Sequence, residues 1–338
     1  MEPSKPLSYA SSIAVFENLD LITRERILRQ VPQLTHLHNL IPYKLNYAEL
    51  SSSRLSIEER RWEIRPPMNR VPGHPGIFVL SDEENKAVIQ FYIRRSQKFD
   101  NIAEKTLDGN PVQMLEILID KYLRNGTIIK EFELFNFPQF WSQKNPQTFQ
   151  FCIYELTIFD MPQCFERFSS FIESGKLKKL TVKCFSNFPI LQSPLVKSCD
   201  EICLQFREFN VPPLGKMLTT LKQKTVKIWY PEIEIEKLRE LAAYWIKTER
   251  PLGDSFYCSI HDIMRMLDVF EDFANQFGAV PSKLTNMGTS YYANCVTIPV
   301  NETTEIVVNG APVDCRESWV FAYIKMEVMP RGSSVPRN

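Results

Sequence analysis

Between residues 127 and 260 one short pattern returns six times: Phe132-Glu-Leu134, Leu156-Thr-Ile158, Leu180-Thr-Val182, Ile202-Cys-Leu204, Val226-Lys-Ile228 and Phe256-Tyr-Cys258. Apolar residues at alternate positions are the mark of a strand with a buried face. Subtracting the numbers of the first members gives steps of 24, 24, 22, 24 and 30 residues. A strand that recurs at a spacing in the twenties predicts a leucine-rich-repeat-like strand–helix solenoid. The competing reading is an open α/β sheet with irregular connections, and the near-equal steps favour the solenoid.

Helical stripes accompany these strands. Leu115, Leu118, Ile119 and Tyr122 follow Pro111, a favoured first helical residue. Phe165, Phe168 and Ile172 form a second stripe, Leu214, Met217, Leu218 and Leu221 a third, and Ile235, Leu238, Leu241, Ala242 and Trp245 the longest. Pro189 and Pro194 interrupt the connection between the third and fourth strands, which predicts a short or 3₁₀-like turn there. The repeat domain is assigned to residues 106–280.

On its C-terminal side, Cys295–Val300 and Glu305–Val308 alternate around Asn301-Glu-Thr-Thr304, and the run to Met329 alternates again. Residues 281–329 therefore read as an antiparallel β cap on an otherwise open sheet edge. Residues 330–338 are expected to be a disordered tail. On the N-terminal side, residues 43–105 are β-rich, with candidate strands Tyr43–Tyr47, Arg54–Ile57, Arg61–Ile64, Gly76–Leu80 and Lys86–Arg94. Pro66 to Pro75 reads as an irregular loop, and the polar residues 95–110 as the boundary. Residues 1–42 form a helical segment of three short helices. Tyr9, Ile13 and Phe16 share one face, Asp20 caps the next helix, and Pro32 stops it.

Forty basic and forty acidic residues cancel, so no net field favours nucleic acid or an anionic membrane. No run of eighteen apolar residues and no signal-peptide pattern occurs. The eight cysteines are scattered, as expected of reduced, packed thiols in a cytoplasmic or nuclear protein. Cys199 and Cys203, or His36 and His38, lack the tight four-ligand spacing of a metal site. No nucleophile elbow or phosphate-cradling glycine motif is present, and His261-Asp262 reads as a helix start. No cofactor is expected. Lys176-Leu-Lys178-Lys179 lacks the aromatic interleaving of a nucleic-acid patch. Trp229, Tyr230 and Tyr257, at or beside outward strand positions, are candidate target-binding anchors, with core placement as the competing reading.

Several residues carry a family resemblance: Pro6-Leu7-Ser8-Tyr9, Val15-Phe16, Leu19, Arg24, Ile27, Arg29, Val31-Pro32, Ile41-Pro42 and Lys44-Leu45 near the start, then Glu305-Ile-Val-Val308 and Trp319–Met329 near the end. Together they resemble the nematode "F-box C" group, which shares an F-box-associated domain of unknown function. The resemblance implies a Skp-type adaptor protein of a cullin ubiquitin ligase as partner, with Leu7, Phe16, Leu19, Ile27 and Val31 as docking residues. It also implies that the repeats hold an unknown protein target. Ser8 stands where an F-box opens with Pro, and residues 6–42 contain no Trp. The position that holds Asn or Cys in leucine-rich repeats is Phe137, Met161, Phe185, Arg207 and Pro231 here. The expectation is a non-enzymatic substrate-recognition adaptor. The alternatives are a free-standing binding scaffold and, behind it, a hydrolase or transferase.

Overall fold

The computed structural model describes residues 9–70, 78–80, 85–95, 98–159, 162–183, 188–206, 214–229, 233–260, 263–285, 294–312 and 322–336. The protein is a mixed α/β chain with N-terminal helices and a large, open sheet of mixed strand direction. It divides into two compact units, Met1–Leu177 and Lys178–Asn338. The boundary between these units falls within residues 106–280.

The first unit opens with α1 (Tyr9–Asn18), α2 (Leu21–Gln30) and α3 (Thr35–Leu40). Asp20 caps α2 as expected, its carboxylate accepting from the Thr23 N–H at 2.8 Å. Phe16, Leu37 and Ile41 make a small core, with Ile13, Ile27, Leu28 and Leu34 packed around it. Tyr9, read as part of the inward stripe, is 62% exposed.

Next come β1 (Lys44–Leu50), β2 (Arg54–Ile57), β3 (Arg60–Arg65), β4 (Met68–Arg70), β5 (Phe78–Leu80), β6 (Lys86–Arg95) and β7 (Lys98–Asp108). After them stand α4 (Pro111–Tyr122), β8 (Ile128–Leu134), β9 (Cys152–Phe159) and α5 (Pro162–Ser169). The strand order is β9-β8-β1-β2-β3-β6-β7. β1, β8 and β9 run parallel, with Phe132 opposite Leu156; the others pair antiparallel. Strand β7 lies where the sequence reads as a polar boundary, and it passes through residue 105. It is an edge strand exposed along nearly its whole length, so nothing requires it to alternate. β4, inside the stretch read as irregular loop, pairs with β5, which falls in the candidate strand Gly76–Leu80. Between β8 and β9 a 3₁₀ turn at Gln139–Gln143 takes the place of a helix. Its Trp141 is wholly buried and stacks on Phe168 at 5.8 Å, with Phe151 and Phe171 beside it. Phe137, at the missing-Asn position, joins this cluster against Trp141, Phe168 and Phe171. Aromatic packing here fills the space that an amide ladder would otherwise order.

The second unit contains β10 (Lys179–Lys183), α6 (Pro194–Ser198), β11 (Glu201–Gln205), α7 (Leu214–Thr220), β12 (Thr225–Trp229), α8 (Ile235–Thr248), β13 (Ser255–Ile260) and α9 (Ile263–Phe277). Strands β14 (Val280–Leu284), β15 (Asn294–Pro299), β16 (Thr304–Pro312), β17 (Ala322–Pro330) and β18 (Ser334–Pro336) complete it. Strands β10 to β13 pair parallel in register, Leu180 with Ile202, Ile202 with Val226, and Val226 with Phe256. Their alternate residues are buried, as are Leu238, Leu241, Ala242 and Trp245 of α8. A 3₁₀ turn at Phe188–Gln192 precedes the five-residue α6, in keeping with the prolines. β17 then pairs antiparallel with β13 and ends the parallel run. Order continues β17-β16-β15-β14-β18. Residues 334–336, read as disordered, pair with β14 instead.

Side chains in the turns before the strands bind the neighbouring turn. Before β12, Gln223 donates to the Val196 carbonyl at 2.8 Å. Before β13, Arg250 donates to the carbonyls of Leu221 and Gln223. Before β8, Arg124 donates to those of His38, Asn39 and Ile41. Gly126, in the same turn, has φ +76°, and a Cβ there would lie 3.0 Å from Pro42. Among the described residues no helix is long and apolar enough to cross a membrane.

Candidate functional site

Within the first unit, α2, α3, β3, β6 and α4, with Tyr43 just before β1, surround a cavity of about 600 Å³, a volume usual for small-ligand sites. Trp62 of β3 stacks on Tyr122 of α4, with ring centroids 5.1 Å apart, and Phe91 of β6 leans on Trp62 at 5.5 Å. Glu25 of α2 accepts from Arg60 at 2.5 Å and from the Tyr122 hydroxyl at 3.0 Å. Burial pushes the Glu25 carboxyl up, but Arg60 and Tyr122 overcome it and hold the group below its ordinary range. Burial raises the Tyr122 hydroxyl, with the Glu25 charge adding to the effect.

Tyr43 and His38 meet at the base of the cavity, hydroxyl oxygen to Nε2, at 2.8 Å. Burial, reinforced by Arg124 and Arg24, lowers the His38 pKa to about 4. Burial likewise pushes Tyr43 up to about 12, so both are neutral at pH 7. Whichever ring nitrogen carries the proton, Nδ1 has no partner among the described residues. Arg24, fully buried behind Tyr43, spends its guanidinium on the carbonyls of Phe16, Ile41 and Pro42. These groups are spread over the chain from residue 25 to residue 122, so no local spacing announces them.

The residues named for partner docking divide into two kinds. Phe16 is buried, and Ile27 packs against the same small core, so these two hold the helices together rather than face outward. Leu19 is half-buried, and Val31 is exposed. Leu7 lies outside the described residues. Five large apolar side chains do stand exposed on this segment: Tyr9, Val15, Ile22, Val31 and Leu40.

Of the target-binding candidates, Trp229 and Tyr257 are half-buried and both pack on Tyr323 of β17, at 6.0 and 6.1 Å. Lys227 and Lys325 lie over the Tyr257 ring, at 5.5 and 5.6 Å. Tyr230 lies outside the described residues. The lysines of the basic segment are paired: Lys176 with Glu173, Lys178 with Asp200 and Lys179 with Glu201. Cys152, Cys199, Cys203, Cys258 and Cys295 are buried. Burial pushes the Cys199 and Cys258 thiols up to about 12, which keeps them protonated and poorly nucleophilic at neutral pH. Among the described residues no three His, Cys, Asp or Glu side chains gather as a metal site. His261 and Asp262 lie outside the described residues.

Residues 110–262, from the cap of α4 to just past β13, match the family model described as a domain of unknown function, DUF3557. No curated protein and no solved structure matches the chain.

Proposed function

We propose that this protein is a non-enzymatic recognition adaptor whose N-terminal helices dock on a Skp-type protein of a cullin ubiquitin ligase, while its parallel strands and their helices present a surface to a protein target. The observation that carries this reading is the exposure of Tyr9, Val15, Ile22, Val31 and Leu40 on helices that already have a closed core beneath them. Of fifteen large apolar side chains exposed among the described residues, five fall within residues 9–40, a density that a segment without a partner has no reason to keep. We read the strands from β8 to β13 as a leucine-rich-repeat-like solenoid. The in-register parallel pairing within each unit supports this, as do Gln223 and Arg250, which tie turn to turn.

A second reading has its own support. Arg124 and the Glu25–Arg60 pair tie the helices firmly to the adjoining strands and α4, as a free-standing scaffold would require. Purified Skp-type protein separates the two. On the adaptor reading it is captured by the wild-type chain, and capture is lost in the exposed double variant Val15→Asp with Ile22→Asp. Phe16→Asp is a poor probe, since it would open the small core. A wild-type chain that fails to capture any purified Skp-type protein leaves the scaffold reading.

A further inference from the structure

The cavity of the first unit has three cations on its wall, Arg29, Arg60 and Lys121, against one carboxylate, Glu25. Arg24 and Arg124 add positive charge behind the Tyr43 ring, at 5.4 and 4.5 Å from its centroid. Only Nη1 of Arg60 is spent on Glu25, which leaves its other guanidinium N–H groups for a second acceptor. Arg29 is exposed and has no carboxylate partner among the described residues. The apolar part of the wall is made by the half-buried Trp62, Phe91, Ile93 and Leu28, with Tyr122 stacked behind Trp62. His38, almost wholly buried, closes the wall beside Tyr43.

We propose that this cavity binds a small molecule with a flat apolar body and one anionic group, the body lying against Trp62 and Phe91 and the anion held by Arg60 with Arg29 and Lys121. The field of a pocket that is net positive selects the anion, and planar guanidinium suits a carboxylate or phosphate. The aromatic walls select a ring over an aliphatic chain. The site stands apart from the adaptor reading, since neither its residues nor its test involves Skp-type protein.

The test titrates the whole chain with indole-3-acetate, phenylacetate and phenyl phosphate, with uncharged indole-3-acetamide and plain acetate as comparators. Binding is read by tryptophan fluorescence and by amide NMR shifts. At least one aryl anion is expected to bind saturably with Kd below about 1 mM, and acetamide and acetate at least about tenfold more weakly. Which of the aryl acids and aryl phosphate binds tighter identifies the anionic group. The rim variant Arg29→Gln with Lys121→Gln gives up only the contacts of Lys121 with the Tyr122 ring and the Glu25 carboxylate and should stay folded, yet bind the anion about tenfold more weakly at low salt. A second variant, Ile93→Trp, fills the cavity and should abolish binding. The proposal is overturned if none of the three anions binds, if the acid and its amide bind alike, or if the rim variant binds as wild type.

Discussion

Arg24 shows how much one side chain holds in the N-terminal segment. Its guanidinium joins the end of α1 to the chain entering β1, through three carbonyls that water cannot reach easily. Arg24→Met keeps the stem but leaves those acceptors unmatched, so urea unfolding should show a loss of about 2–4 kcal/mol. A loss within about 0.5 kcal/mol would mean that water replaces it fully. His38 makes a pH prediction. Its folded pKa of about 4 lies below the ordinary 6.5, so above pH 6.5 both states are neutral and stability is full. As pH falls, the unfolded imidazole takes its proton first, and stability declines until about pH 4 by up to about 3 kcal/mol. Glu25, held low, adds its own loss only below the ordinary 4.5. His38→Phe should flatten the slope between pH 6.5 and 4.5, and an unchanged slope would assign it to other groups. Neither residue was legible in the sequence. Arg24 and His38 look like ordinary polar positions on short helices, and their partners lie five to eighteen residues away.

At the scale of elements, strands with one buried face were legible and strands without one were not. β6 and β16 alternate and were found; β7 is bare on both faces, carries no period and was read as a boundary. β18 was missed for a different reason. Its short polar sequence is held by Glu305, which accepts from the Gly332 and Ser334 N–H groups and the Ser334 hydroxyl, and by the Thr297–Ser334 hydroxyl pair. Glu305→Ala should therefore free residues 332–336 without unfolding the rest, seen as rapid amide exchange confined to that segment and to the facing edge of β14. Protection unchanged from wild type would show that the backbone pairing with β14 suffices. The cap of α2 was legible because its chemistry is local, as Asp20 demonstrates.

For the whole molecule, the periodic tripeptides foretold the parallel strands, since each step places equivalent residues opposite one another. The cavity was invisible because it needs tertiary structure to assemble it from five elements and Tyr43. The burial of the N-terminal helices was half legible: a stripe of apolar residues shows that a helix has a buried side, but not which of its other apolar residues stay exposed. Phe16 turned inward, while Val15 and Ile22 remain outside. Amide exchange of the full chain, with and without purified Skp-type protein, tests the adaptor role most directly. The account predicts slowed exchange in α1 and α2, around Val15 and Ile22, with the second unit unchanged. Exchange that is identical in both samples, at partner concentrations sufficient for an ordinary complex, would contradict it.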